Sequence, residues 1–265
     1  MNPTDAARAV ALDAANAYRD AFADRLTAAY ALGSVAHGGY AAAVSDIDLG
    51  LVLAEIQDGD AALVESTREA LLERGPLYRK LSVFWASLPA LRQGRSDGRF
   101  PAIDRLDLHD NGALLLGDEV AAQATVATAE ELLLDSARFA ITLLASDAVI
   151  AECHQPSRLL TDSVYFTKAV LFPVRFLFST KKTDGRAATN DEAIDWYLAQ
   201  PEPVAADLVR LAAEVRRGAP LDTNQATRLL AAGLIPLYQH YIDELTPRLP
   251  TDLADAFTQW GKQLA

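Results

Sequence analysis

The spacing of apolar residues changes from helical to strand-like several times in the first half of the chain. Residues 3–27 have helical spacing, and they are followed by the apolar run AAYAL, a loop from Gly33 to Ser45 and the run DIDLGLVLA, which is typical of a strand. The spacing in DGDAALVESTREALLERG predicts a helix that ends at Gly75, and YRKLSVFWASL predicts another strand. This order of elements indicates an α/β domain.

A further short strand precedes NGALLLGDE, which closes the first half, and the second half is helical. After the turn-rich LRQGRSDGRFP, the alternation in IDRLDLHD predicts a strand with Asp107 near its centre. From about Thr128 helical spacing recurs in AEELLLDSARFAITLLASDAVIAE, SRLLTDSVYFTKAVLFPVRFLFS, NDEAIDWYLAQ, PVAADLVRLAAEVRRG and NQATRLLAAGLIPLYQHYIDEL. We predict an α/β domain with a mixed sheet over residues 1–125 and an all-α domain over residues 126–265.

Charge and composition narrow the classes of partner. The formal net charge of −12 argues against extended nucleic acid, because such binding needs clustered Lys and Arg, and it favours a cationic small molecule. The only cysteine, Cys153, cannot form an internal disulfide, and no apolar stretch reaches the length that spans a bilayer. We therefore expect a cytoplasmic protein that does not enter the membrane.

Asp46 and Asp48 occupy alternate positions of the predicted strand DIDLGLVLA, so their side chains project from the same face. Two neighbouring carboxylates repel each other, and they persist when they are solvated, protonated or bridged by a cation. Upstream, Gly33 and Ser34 offer a backbone amide and a hydroxyl that suit a phosphate oxygen. The pattern favours a cation and a phosphate, with a solvated acidic pair at a strand end as the alternative.

The motif resembles that of a known superfamily. Gly-Ser, a loop of this length and Asp-apolar-Asp on an apolar strand are similar to the signature of the polymerase-β-like nucleotidyltransferases. The double glycine within the loop and the Ser before Asp-Ile-Asp-Leu resemble the aminoglycoside adenylyltransferases that act on streptomycin and spectinomycin. VRFLFSTKKTDGRAATNDEAIDWYLAQ is similar to the C-terminal segment of that family. The resemblance implies a nucleotidyltransferase domain followed by a helical substrate-binding domain.

The resemblance also implies a reaction and its cofactors. Asp46 and Asp48 would hold Mg²⁺, and Gly33 and Ser34 would bind the β- and γ-phosphates of a nucleoside triphosphate, ATP. AMP would pass to a hydroxyl of a small, cationic, aminoglycoside-like acceptor. A family lysine near the phosphates aligns with an asparagine here, and Lys182 is a candidate to supply its charge.

The third carboxylate of the family is missing from its expected place. Ser82, in KLSVFWAS, stands about where the aminoglycoside enzymes have Glu, and Asp107 is the candidate that could serve as base or metal ligand instead. If no third acid is present, the chain would be a non-catalytic or regulatory nucleotide-binding protein. AMP transfer to a protein or RNA, as in antitoxin-like members of the superfamily, is a further alternative.

Overall fold

The computed structural model describes residues 2–181 and 189–265, which form two compact units. Among these residues, the first unit comprises those up to Thr128 together with Thr189, and the second comprises the others from Ala129 onward. The first unit contains helices α1 (Pro3–Phe22), α2 (Gly33–His37), α3 (Asp60–Leu72), α4 (Leu88–Arg92) and α5 (Ala102–Asn111), and strands β1 (Leu26–Leu32), β2 (Ile47–Leu53), β3 (Leu81–Ser87) and β4 (Ala113–Gly117). The described strands form one sheet in the order β3-β2-β1-β4. Only the β2–β3 pair among them is parallel, which confirms the predicted mixed sheet.

Side chains alternate between the two faces of the sheet along each strand, and other elements pack on both faces. Ile47, Leu49 and Leu51 of β2 pack in a buried cluster with the alanine-rich face of α1. Val52 belongs to a second cluster on the opposite face, together with Leu108 of α5 and residues from α4 and the segment after β4. Asp48 lies between Ile47 and Leu49 in the strand, so its side chain projects from the opposite face, which α5 covers.

Helix α5 replaces a predicted strand. The alternation in IDRLDLHD predicts a strand, but this segment lies within Ala102–Asn111, so the prediction was wrong. Ala102, Arg105 and Leu106 are buried at the i, i+3, i+4 spacing of a helix. The alternation that suggested a strand covers only the three residues around Asp107, and packing of the helix on the sheet outweighs it.

The second unit is helical in its described residues, as predicted. It contains α6 (Ala129–Phe139), a π-helical turn (Ala140–Leu144), α7 (Asp147–His154), α8 (Ser163–Lys181), α9 (Asn190–Leu198), α10 (Ala206–Arg216), α11 (Thr223–Leu245) and α12 (Thr251–Leu264). Its core is one large apolar cluster that includes Tyr238, Tyr241 and Trp260. Among the residues described in either unit, none of the helices is both long and apolar enough to cross a membrane.

Candidate active site

The candidate site lies where β1 ends and β2 begins. The two strands are antiparallel with Leu32 opposite Asp48, so Gly33, the first residue after β1, comes beside Asp48. Gly33 has a φ of +56°, in the left-handed region that favours glycine. A Cβ at this position would lie 2.5 Å from Oδ2 of Asp48, which is closer than Cβ atoms in proteins come to other non-bonded atoms. The glycine is therefore required by both its conformation and its contact with the carboxylate.

Asp46 and Asp48 lie at the start of β2 and are both half-buried. Asp46 directly precedes the strand and Asp48 is its second residue, with Leu32 and Ser82 as partners in the flanking strands. Ser34 follows Gly33 in the short helix α2 and is buried. The geometry thus brings Gly33 and Asp48 into contact, and Ser34 and Asp46 are their sequence neighbours.

Asp107 reaches the same place from α5. Its Oδ2 accepts a hydrogen bond from the backbone N–H of Gly33, and its Oδ1 accepts one from Asn111 Nδ2 at 2.9 Å. Asn111 is one helical turn further along α5, so it orients the carboxylate from within the same helix. Asp48 and Asp107 therefore contact Gly33 from two sides, one from a strand and one from a helix.

Lys80 anchors the loop before Asp46 and was not predicted individually from the sequence. Its Nζ donates to the carbonyl oxygens of Ala42 and Ser45. Because Ile47 pairs with Leu81 in the parallel ladder, the residues that precede them share one end of the sheet. Those residues are Asp46 and Lys80, so an ammonium group is held at the acidic end of β2. The sequence does not show that β2 and β3 pair in parallel, and without that pairing the position of Lys80 could not be predicted.

Tyr40 is a second residue that the sequence did not single out. Within the described chain its hydroxyl is buried and has no hydrogen-bond partner. Burial raises the pKa of Tyr40, and the negative charge of Asp46 adds to that increase.

His37, at the end of α2, accepts a hydrogen bond from the N–H of Gly39 at 3.3 Å through Nδ1, which makes it part of the loop structure.

The carboxylates of Asp46 and Asp48 are of the chemical type that Mg²⁺ prefers, and they are two ligands. Asp46 and Asp48 offer hard carboxylate oxygens, and the missing Cβ of Gly33 lets the Asp48 carboxylate fit against the backbone. Across residues 2–181 and 189–265, no group of three or more His, Cys, Asp or Glu side chains is arranged to hold a metal ion. Mg²⁺ commonly uses one or two carboxylates together with phosphates, so the pair fits that type of site.

Three residues of the segment that is similar to the aminoglycoside enzymes have contacts within the helical unit. Lys181 is paired with Glu244, and Trp196 packs edge-on against Phe178 at a centroid distance of 5.5 Å. Phe176, which follows Arg175, stacks with Phe172 at 5.7 Å. Lys182 lies outside the described residues, so its predicted contact with phosphates stays a prediction.

Comparison with known proteins gives a structural likeness. No family model matches the chain, and no curated protein has a significantly similar sequence. Among the matching solved structures is spectinomycin adenyltransferase AAD(9) from Enterococcus faecialis, solved with ATP and spectinomycin. It is 12% identical with a TM-score of 0.57, and the match covers 84% of this chain and 98% of that chain. The chain therefore has a nucleotidyltransferase fold like that of an aminoglycoside adenylyltransferase, which confirms the fold expected from the motif.

Proposed function

We propose that the protein transfers AMP from ATP to a hydroxyl of a small, cationic, aminoglycoside-like acceptor, with Mg²⁺ as cofactor. The observation that carries this proposal is the meeting of Asp48 and Asp107 at Gly33. A glycine amide followed by a hydroxyl, with carboxylates on both sides, provides groups for phosphate oxygens and for a cation in one small volume. The neighbouring fold, in a protein solved with ATP and spectinomycin, supports the same reaction class.

Each residue has a role in this proposal. Asp46 and Asp48 would hold Mg²⁺, which when bound neutralises negative charge on the triphosphate. Gly33 and Ser34 would bind the β- and γ-phosphates, with the N–H of Gly33 exchanging its hydrogen bond to Asp107 for one to a phosphate oxygen. Lys182 is proposed to add positive charge there. These groups fix the nucleotide so that the α-phosphorus faces the acceptor.

The group transfer forms one bond and breaks one bond. The acceptor oxygen bonds to the α-phosphorus, the bond from that phosphorus to the bridging oxygen breaks, and pyrophosphate leaves. The hydroxyl proton passes to a carboxylate, for which we propose Asp107. We place the reaction in the cytoplasm, where such an activity would confer resistance to an aminoglycoside.

The direct test is release of pyrophosphate from ATP. The purified protein would be incubated with ATP, Mg²⁺ and, one at a time, spectinomycin, streptomycin and other aminoglycosides, with the Asp48→Asn variant as control. We expect release that requires both Mg²⁺ and one of these acceptors, and a mass increase of the acceptor by one adenylyl group, that is, AMP less water. Acceptor-independent release, or none with any acceptor although ATP binds, would contradict the proposed transfer.

A second candidate function is nucleotide binding without transfer. The observation that favours it is Ser82, which pairs in register with Asp48 where the resembling family expects a glutamate. Under this alternative, ATP binds with Mg²⁺ dependence and no pyrophosphate appears. Transfer of AMP to a protein or RNA would be recognised by labelled AMP that stays with macromolecules of a cell extract instead of with an aminoglycoside.

A further inference from the structure

A separate pocket lies within the helical unit. It has a volume of about 270 Å³ and is lined by residues of α6, the π-helical turn, α7, α8 and α11. Gaps between packed helices are common places for small-molecule sites, and an apolar cavity of about 150 Å³ is already large enough for benzene. The space is therefore adequate for a small organic molecule.

The walls of this pocket are apolar, and they include four aromatic residues and one carboxylate. The aromatic lining residues are Phe139, Tyr165, Phe172 and Tyr238, and the carboxylate is that of Glu152. Apart from Glu152 and Cys153, the remaining lining side chains are aliphatic. Four aromatic rings around an apolar space with a single acid form a surface that favours a cation with apolar substituents over a neutral or anionic molecule.

The polar groups of the lining are held in place. The Tyr165 hydroxyl donates a hydrogen bond to Oε2 of Glu152, and the Tyr238 hydroxyl donates to the carbonyl oxygen of Ala169 at 2.9 Å. Burial is the main cause that raises the pKa of Tyr165 to about 12, so this tyrosine stays a neutral donor. The Glu152 carboxylate is thereby oriented, and it keeps further lone pairs that can face a ligand.

Two of the large apolar side chains that line the pocket are also exposed. Leu143 is 50% exposed and Phe139 is 37% exposed, and they are two of the five exposed large hydrophobic residues in the described part of the chain. Leu143 belongs to the π-helical turn, a distortion of helices that often occurs at functional sites. Phe139 also contacts Phe172 at a centroid distance of 5.6 Å, so the exposed residue is continuous with the aromatic wall.

We propose that this pocket binds a small organic ammonium ion with apolar substituents, of the size of choline. The aromatic rings would contact the alkylated cation by cation–π interaction, and Glu152 would balance its charge. The polyhydroxylated acceptor of the proposed transfer does not suit apolar walls, so the pocket is a site of its own. The proposal does not depend on the nucleotidyltransferase activity.

The test compares a cation with its neutral isostere. Choline and 3,3-dimethylbutan-1-ol have the same shape and differ in charge, and their binding to the intact protein would be measured by isothermal titration calorimetry. We expect saturable choline binding that is about tenfold tighter than binding of the neutral alcohol. Equal affinities, or no saturable binding up to about 10 mM choline, would overturn the proposal.

Variants locate the binding within the pocket. Glu152→Gln keeps the shape and a hydrogen-bond acceptor for Tyr165, and it should weaken choline binding by about tenfold. Phe172→Leu should weaken choline binding by about threefold or more while affecting the alcohol less. The matched control is Asp147→Asn, which removes one charge from the same helix at an exposed position outside the lining.

The control and the fold of the variants decide the outcome. Choline affinity in Asp147→Asn should stay within about twofold of that of the unmodified protein, as expected for an exposed charge. If Asp147→Asn weakens choline as much as Glu152→Gln does, the attraction comes from the acidic protein in general and the proposal is wrong. Circular dichroism confirms that each variant is folded, and Glu152→Gln remains decisive if Phe172→Leu does not fold.

Discussion

Gly33 is the residue on which the candidate site depends. Its left-handed backbone gives the N–H to Asp107, and its missing Cβ makes room for Asp48. The two acidic side chains contact the glycine in different ways: Asp107 accepts a hydrogen bond from it, and Asp48 packs closely against it. This distinction gives different expectations for replacing each acid.

Asp48→Asn should remove the charge that the cation needs while preserving the shape beside Gly33. We expect Mg²⁺-dependent ATP affinity to fall by more than about tenfold, measured by calorimetry with and without Mg²⁺. The fold should be retained or stabilised, because repulsion from Asp46 decreases. Asp58→Asn, which removes an exposed charge in the same unit, is the control and should leave the affinity unchanged. An unchanged Mg²⁺-dependent affinity in Asp48→Asn would remove the metal assignment.

Ser34→Ala tests the proposed phosphate contact. ATP has the β- and γ-phosphates that the hydroxyl would bind and AMP does not, so the substitution should weaken ATP several-fold, at about the scale of one hydrogen bond, and leave AMP nearly unchanged. Titration of both nucleotides measures the difference. Equal weakening of ATP and AMP would place Ser34 away from these phosphates.

Asp107→Asn separates catalysis from loop structure. The amide oxygen can still accept from the N–H of Gly33, so we expect ATP affinity within a few-fold of the original. Turnover should fall by about a hundredfold, the usual scale for a general base. Asp107→Ala, which also loses the contact with Gly33, is the comparison. If Asp107→Asn keeps full turnover and only Asp107→Ala loses nucleotide affinity, Asp107 positions the loop and accepts no proton.

At the scale of elements, helix α3 is fixed to the start of β1 by an ion pair. Both oxygens of Asp60 accept hydrogen bonds from Arg25 at 2.8 Å, and Oδ2 also accepts from the N–H of Gln57. Asp60 is 3% exposed. The hydrogen bonds from Arg25 lower the pKa of Asp60 in the folded state. The pair therefore contributes stability in the charged form of Asp60.

The stability from Asp60 should depend on pH. Since its folded pKa is below the unfolded value of about 4, the contribution is complete above that value and is lost as pH falls through the folded pKa. We expect Asp60→Asn to lower the free energy of unfolding at pH 7 by about 1–3 kcal/mol, and the difference to shrink from about pH 4 downward. Urea unfolding at several pH values measures this. A difference that is constant with pH would contradict it, and Glu69→Gln, at an exposed position of the same helix, serves as the control.

The sequence predicted those elements whose cause is local. The apolar runs of β1 and β2 and the helical spacing of α3 follow from side chains that are near each other in the chain. Helix α5 was predicted as a strand, because its packing against the sheet is a long-range effect. The short helix α2 was predicted as part of a loop, since five residues carry too little periodic signal.

The same distinction applies to the candidate site. Gly33, Ser34, Asp46 and Asp48 stand in one motif, and antiparallel pairing of β1 and β2 brings its ends together. Asp107 was selected for a place on a neighbouring strand, yet it reaches Gly33 from α5. The contacts of Lys80 and Asn111 depend on the β2–β3 register and on helix position, which the sequence does not give locally.

At the scale of the whole molecule, the net charge of −12 creates a negative field that attracts cations. If the acceptor is a polycationic aminoglycoside, its affinity should fall several-fold between about 50 mM and about 300 mM NaCl, because salt screens this attraction. Calorimetry at the two concentrations measures the change, and sucrose at equal osmolarity is the control. An affinity that is independent of salt would mean that local contacts alone select the acceptor.

The contact of Gly33 with Asp48 has a consequence for how the sequence can vary. A side chain at position 33 meets two obstacles, the left-handed φ of +56° and the carboxylate that occupies the space beside it, and only the second depends on residue 48. Substitutions at the two positions should therefore be epistatic: alanine at 33 is tolerated better when 48 is also small, but that pair lacks the acid. In a library that randomises both positions, selection for folding alone would enrich such compensated pairs, whereas selection for the proposed transfer would return glycine and aspartate together.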